Sequence, residues 1–304
     1  MGGLRDVTDA GPATVLLDEL EIVPGRLTVE GETLRRDRPR GRLPLIALVA
    51  LVLGLLQASG CAIDKGTALA ADFDADWAGT PDVTKIDTTR NNTLPFAGSA
   101  SGTLILRDGT PADRVGVLAN DLRRYVAEHG NITGRIAAGA VSFTVVADRR
   151  RTDEALSLWR SLTTDDRTLT GDLHDAPTKG VVRWRIELTA TDAAAAMTLF
   201  EDLVTDGGRH RPLSDVVSLK VGTGRAARPA LSVGTDFNGA RPTEAVAAYQ
   251  AVAARYAVAG ATLMPDRATI VVAKQADLAR ASELAAKAAP GLGATLKVTS
   301  AGNP

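Results

Sequence analysis

The chain has 304 residues, enough for two small domains or one larger domain with a buried core. Residues 61–304 carry 28 basic and 28 acidic side chains, so there is no electrostatic case for binding nucleic acid. Aromatic residues make up only 4% of the chain, which counts against a sugar-processing cleft, and the single cysteine excludes an intramolecular disulfide.

Residues 1–34 form an acidic N-terminal extension, with seven acidic and two basic side chains. Such an extension is unusual ahead of an export signal. We interpret it either as sequence upstream of the true start or as a short cytoplasmic tail. In both cases the segment is too small to form a domain.

Residues 35–60 have the order of a signal peptide or membrane segment. Five arginines lie between residues 35 and 42, an uncharged apolar run covers 43–56, and small residues follow. The apolar run is short for a bilayer span, which needs roughly 20 residues. The uncharged stretch continues to Ile63, however, so a spanning helix remains an alternative.

The end of this segment, Ala58-Ser59-Gly60-Cys61, resembles the lipobox of bacterial lipoproteins. The resemblance implies that Cys61 receives a diacylglycerol thioether and that the chain is cut just before it. Ser59 and Gly60 provide the small residues required there, whereas Ala58 replaces the usual branched aliphatic residue. Two acyl chains anchor a protein stably, and the basic flank predicts that the downstream part is exported.

Residues 61–102 are predicted to carry the lipidated cysteine on a flexible tether. The segment is rich in aspartate, asparagine, glycine and serine, a composition typical of turns and linkers. Such a tether would hold a folded domain away from the membrane.

Alternating strands and helices are predicted from residue 103 onward, in a first module at 103–225 and a second at 230–300. Strands are expected at 103–107, 141–147, 181–188, 216–221, 230–233, 268–273 and 294–298, with helices between most of them. The strand at 181–188 shows the clearest alternation, with Trp184, Ile186 and Leu188 on one face. The stretch 163–180 is polar and predicts a loop.

The two modules resemble each other at a constant offset of 131 residues. Four positions correspond: Val115 with Val246, Leu118 with Tyr249, Leu122 with Ala253, and Tyr125 with Tyr256. The order of strands and helices is also shared. The predicted fold is therefore α/β (α+β), with two ferredoxin-like or split βαβ modules related by duplication, after an N-terminal signal or anchor helix.

No catalytic or metal-binding motif stands out in the sequence. The three histidines lack metal-ligand spacing and are expected at the surface or in loops. The serine-hydrolase motif GxSxG is absent, and several carboxylates fall in the polar stretch predicted as a solvated loop. The histidines are His129, His174 and His210, and the carboxylates in the polar stretch are those of Asp165, Asp166, Asp172 and Asp175. The sequence therefore predicts no catalytic residue, no metal site and no cofactor.

A basic run, Arg149-Arg150-Arg151, is the densest positive cluster downstream of Cys61, and Arg123 and Arg124 add to it. One interpretation is contact with an anionic surface, either lipid head groups or a wall polymer. The alternative is a solvated helix start.

These observations together predict a membrane-anchored extracytoplasmic lipoprotein that acts as a binding or scaffolding module at the cell envelope. Its expected partners are the membrane, through diacylglycerol on Cys61, and an unidentified envelope protein or small ligand. Two alternatives stay open. One is an exported hydrolase with carboxylates assembled in space, and the other is an uncleaved single-pass membrane protein with a cytoplasmic N-terminal tail.

Overall fold

A computed structural model describes residues 64–94, 97–175, 183–205, 208–210 and 213–302. The helices are α1 Lys65–Trp77, α2 Ala112–Glu128, α3 Arg149–Thr163, α4 Ala193–Val204, α5 Thr243–Ala253 and α6 Leu278–Ala288. The strands are β1 Val83–Leu94, β2 Ala97–Leu106, β3 Ile132–Ala138, β4 Val141–Val145, β5 Thr168–Asp175, β6 Trp184–Ala190, β7 Val216–Thr223, β8 Ala230–Gly234, β9 Val258–Met264, β10 Arg267–Val272 and β11 Leu296–Ser300. The predicted α/β class is confirmed.

The eleven strands form one mixed sheet in which they follow one another in chain order. Strands joined by one of the helices α2 to α6 pair in parallel, and the other consecutive strands pair antiparallel. A parallel pair requires a crossover connection, and the helices α2 to α6 supply it. The sheet is therefore a row of five βαβ units, preceded by α1 and β1; the units span 97–138, 141–175, 184–223, 230–264 and 267–300.

One face of the sheet is apolar and packs against the helices. Successive strands place fully buried side chains at matching register positions: Leu104, Ile136, Phe143, Leu173, Ile186 and Leu219. Because side chains alternate along a strand, the residues between them point to the opposite face. There Thr103, Arg135, Glu187 and Lys220 are half-exposed or exposed. We call this polar side the open face.

The prediction of a flexible tether at 61–102 does not hold for the residues that the structure describes. Residues 64–94 and 97–102 form α1, β1 and the first part of β2. The glycines of this segment permit close packing: a Cβ atom on Gly102 would lie 2.3 Å from the Phe73 ring, and one on Gly98 would lie 2.3 Å from the backbone nitrogen of Gly66. Composition alone does not distinguish such glycines from linker glycines.

The residues predicted as two modules belong to the same sheet. Strands β7 and β8 pair across the proposed boundary, with Val221 opposite Val233. Helix-linked strands are direct neighbours, whereas a split βαβ module would insert another strand between them. The offset of 131 residues relates α2 to α5, which lie three βαβ units apart.

Candidate functional site

The predicted anchor lies outside the described residues. This applies to the extension at 1–34, the signal segment at 35–60 with Ala58, Ser59 and Gly60, and Cys61 itself. The first described residue is Asp64, and α1 begins at Lys65. Among the described helices, none combines the length and the apolar character needed to cross a bilayer.

The basic run at the start of α3 divides into two exposed arginines and one buried arginine. The side chains of Arg149 and Arg150 are 78% and 67% exposed, whereas that of Arg151 is 6% exposed. Arg149 and Arg150 thus lie at the surface, as a contact with an anionic surface requires. The same prediction for Arg151 is wrong, because its guanidinium group is enclosed by protein.

Arg151 instead connects α3 to the segment before β7. Its guanidinium donates hydrogen bonds to the backbone oxygen of Ser214 at 2.7 Å and to the Asp215 carboxylate at 2.6 Å. Its backbone N–H donates to the Asp148 carboxylate, which caps the helix. Nothing in the triplet of arginines indicates which member is buried, since the shortest contacts of Arg151 are with residues more than 60 positions away.

The open face carries a trough between β5 and β10. Two adjoining depressions, of about 430 Å³ and 330 Å³, share Thr223, Leu231 and Ser232 in their lining. Register pairs place small residues in a row across the six strands: Thr170, Thr189, Gly222, Ser232, Thr262 and Thr269. These hydroxyl groups can exchange hydrogen bonds with a polar ligand.

The charged groups of the trough largely balance one another. Asp172 lies opposite Glu187 across β5 and β6, and Glu187 lies beside Lys220 on β7. Asp172 also forms an ion pair with Arg135 and accepts a hydrogen bond from Ser142 at 2.9 Å. Asp172 therefore belongs to a strand and an ordered network, not to the solvated loop predicted from the sequence. The trough has no strong net charge, which favours a polar ligand over a highly charged one.

Two further groups of the open face lie near the trough. Phe237, in the loop after β8, is 68% exposed, and the Arg185 guanidinium carbon lies 5.1 Å from the centre of its ring. An exposed aromatic ring with an adjoining cation offers a stacking surface to a ligand.

The histidines have three different environments. His129 stacks on Tyr125 at a ring separation of 4.1 Å, and His174 lies on β5 with its Nδ1 atom 3.6 Å from the Asp172 carboxylate. His210 is completely buried, so the prediction of a surface or loop position fails for its side chain. A Cys/His/Asp/Glu cluster suited to a metal ion is not found within the described ranges.

His210 lies between a serine and an aspartate. Its Nδ1 atom is 2.6 Å from the Ser161 Oγ atom, and its Nε2 atom is 2.9 Å from the Asp165 carboxylate. Arg167 donates to both oxygens of the same carboxylate, and Arg209 lies 3.4 Å away. We call Ser161, His210, Asp165 and Arg167 the buried clamp. It joins the end of α3 to the segment that precedes β7.

The electrostatics of the buried clamp favour a neutral imidazole beside a charged carboxylate. Hydrogen bonds from the Arg167 guanidinium hold the pKa of Asp165 well below its usual range. Burial lowers the pKa of His210, and this outweighs the opposing effect of Asp165. In this state the Nε2–H group donates a hydrogen bond to Asp165, and Nδ1 accepts a hydrogen bond from the Ser161 hydroxyl group.

A serine, a histidine and an aspartate in this order are also the contacts of a serine hydrolase. Here Asp165 and His210 are enclosed, and Ser161 lies inside α3, where neighbouring backbone N–H groups belong to the helix. Backbone donors for an oxyanion hole are thus already committed at this position. The arrangement is better suited to stabilising the fold than to cleaving a substrate.

Comparisons with known proteins found no relationship: no family model matches the chain, and neither a curated protein nor a solved structure is detectably similar to it.

Proposed function

We propose that this protein is a lipid-anchored binding or scaffolding module on the extracytoplasmic face of the cell membrane. The lipobox-like sequence ending at Cys61 supports the anchor. The open face of the eleven-stranded sheet supports the binding role and is the observation that carries it. A sheet face of this width, covered by small polar side chains, allows a partner's backbone or hydroxyl groups to approach closely.

The distribution of charge supports binding in preference to catalysis. The carboxylates of the trough are neighbours of Arg135 and Lys220, as expected for a neutralised recognition surface. The ligand proposed for the trough is a polar component of the envelope, either a protein or a small molecule.

The anchor is tested by the intact mass of the membrane-extracted protein, compared with the Cys61→Ala variant. We expect a chain that begins at Cys61 and carries acyl groups, and loss of this form in the variant. A mass that retains residues 1–60 without lipid would overturn the anchor and favour the single-pass alternative, in which the acidic tail faces the cytoplasm.

The binding face is tested by cysteine accessibility, because Cys61 is the only native cysteine. Thr262→Cys places a thiol on the open face, and Gln250→Cys places one on the exposed side of α5. A membrane-impermeant maleimide should label Thr262→Cys more slowly on intact cells than after purification, whereas Gln250→Cys should react equally in both. Equal behaviour of the two variants would contradict a partner on the open face.

The second candidate function is an exported hydrolase, and the geometry of Ser161, His210 and Asp165 is the observation in its favour. A fluorophosphonate probe distinguishes the two functions. Labelling of the wild-type protein that disappears in Ser161→Ala would establish a nucleophilic serine and would refute a purely structural role for the buried clamp.

A further inference from the structure

The folded unit begins almost directly at the proposed anchor. Only two residues separate Cys61 from Asp64, so an extended chain spans about 10 Å between them. The start of α1 is fixed to the sheet, because the Gly66 N–H group donates to the Asn92 side chain at 2.8 Å. Gly66 and Gly98 are in close contact as well. A lipid on Cys61 would therefore hold the end of β1 and the start of β2 close to the head groups.

Several other elements reach this same end of the sheet, which we call the anchor end. Ala100 near the start of β2 pairs with Ile132 at the start of β3, and Gly134 pairs with Val145 at the end of β4. The helix α2, which leads into β3, therefore finishes at the anchor end. The helix α3, which follows β4, starts there.

Three ion pairs at the surface of these two helices share one orientation, in which the arginine lies nearer the anchor end than its acidic partner. They are Arg124 with Asp121 at 2.5 Å, Arg149 with Asp153 at 3.7 Å, and Arg150 with Glu154 at 2.6 Å. Since α2 runs towards the anchor end and α3 runs away from it, each arginine is about one turn closer to that end than its partner. In each of these three pairs the arginine is therefore the outer and the more exposed member, and the same end also carries the exposed carboxylates of Glu128 and Asp148.

The position of the arginines in α3 opposes the helix dipole. The first turn of a helix has a partial positive charge and favours acidic side chains. Arg151 is compensated by its short contacts with Ser214 and Asp215, whereas the ion pairs of Arg149 and Arg150 hold largely exposed guanidinium groups and contribute little to stability. A sequence that departs from a local stability rule in this way points to a functional requirement.

We propose that the anchor end docks directly on anionic phospholipid head groups, with Arg124, Arg149 and Arg150 contacting their phosphates. The proposal rests on the lipid anchor proposed above. The guanidinium group matches a phosphate in charge and geometry, and basic residues next to a membrane are attracted by anionic lipids. Because the exported chain has equal numbers of acids and bases, the attraction depends on these arginines being more exposed than the carboxylates with which they pair.

The test uses the acylated protein in vesicles, labelled with a donor dye at Ala127→Cys in the last turn of α2. Ala127 is exposed at the anchor end, and an acylated Cys61 does not react with the dye. Energy transfer to an acceptor on the lipid head groups reports docking. We compare vesicles of phosphatidylglycerol and phosphatidylcholine in equal parts with vesicles of phosphatidylcholine alone.

The charge-reversal variant is R149E/R150E, and the matched control is R225E/R228E. The control arginines are exposed in the loop between β7 and β8, at the opposite end of the sheet. We expect R149E/R150E to lower the docked-to-undocked ratio on anionic vesicles by roughly tenfold or more, and the control to change it little. Because glutamate suits a helix start, the first variant should melt no earlier than the wild type.

The outcomes separate the two proposals. An acylated protein whose energy transfer is the same on neutral vesicles, or is unaffected by R149E/R150E, overturns the docking proposal and leaves the anchor intact. An intact mass that retains residues 1–60 overturns the anchor and the docking proposal together.

Discussion

Replacing Asp165 with asparagine should destabilise the protein strongly, although the residue has no proposed contact with a ligand. Its side chain is fully enclosed and accepts hydrogen bonds from Arg167 at 2.6 Å and from His210 at 2.9 Å. Asparagine preserves the volume but removes the charge and replaces one acceptor oxygen with a donor. The guanidinium group would then lose its buried partner.

The expected loss follows from the geometry of the buried clamp. Breaking a buried ion pair by removing one partner costs about 3–5 kcal/mol. The lower end applies because Arg167 keeps a contact of 2.8 Å to Asp202 and its side chain is 20% exposed. We therefore expect a loss of about 3 kcal/mol in the free energy of unfolding. For a domain of this size, that loss lowers the melting temperature by about 6–12 °C.

Urea unfolding at pH 7, followed by circular dichroism, measures this loss. Asp166→Asn is the matched control, because Asp166 is the exposed neighbour of Asp165, and we expect it to change the free energy of unfolding by less than about 0.5 kcal/mol. If the two variants were equally stable, the buried clamp would not contribute to the fold as argued.

Three further perturbations test other parts of the structure. Burial lowers the folded-state pKa of His210, so below pH 6.5 the unfolded chain binds a proton that the folded chain does not; stability should therefore fall as the pH decreases from 6.5, and His210→Gln should flatten this dependence in urea titrations at several pH values. Gly102→Val should overpack the contact with α1 and cost about 1–3 kcal/mol, whereas Gly130→Ala, in open space, should cost far less; thermal melts compare the two. Arg151→Met should lose about 2 kcal/mol with its hydrogen bonds, while Arg149→Met should be neutral or stabilising in the same assay, and equal losses would contradict the division of the basic run.

The sequence predicted those elements whose pattern reflects a buried face. In β6, Trp184, Ile186 and Leu188 alternate with polar residues, and all three are buried as expected. The helix expected between the predicted strands at 103–107 and 141–147 corresponds to α2, whose apolar residues are spaced to share one face. These signals are local, because one amphipathic element carries them by itself.

Strands with little buried surface gave no such signal. The polar stretch at 163–180 contains β5, where Leu173 is the one fully buried residue. In β1 the partly buried Ile86 lies among threonine, lysine and asparagine residues. A strand that is polar on the open face, or that lies at the edge of the sheet, resembles a loop in sequence because its hydrogen bonds depend on neighbours elsewhere in the chain.

The buried clamp was equally inaccessible to sequence analysis. Asp165 and Arg167 are close in the chain, but His210 lies 45 residues beyond Asp165 and reaches it only through the tertiary packing of the segment that follows α4. An isolated histidine is most often a surface residue, so the sequence favoured the wrong environment. Side chains that meet through tertiary packing leave no fixed spacing to recognise.

The two proposals together define how the open face would be presented. If the anchor end rests on the membrane, the strands run away from the bilayer and the row of strands extends along it. Neighbouring strands lie about 4.8 Å apart, so eleven of them form a surface about 50 Å wide. The five βαβ units follow chain order and contact mainly their neighbours. Each successive unit therefore widens this surface without closing it. Such a surface suits an extended partner that lies parallel to the membrane. The short connection to Cys61 would restrict the module to partners that lie as close to the membrane as the open face itself.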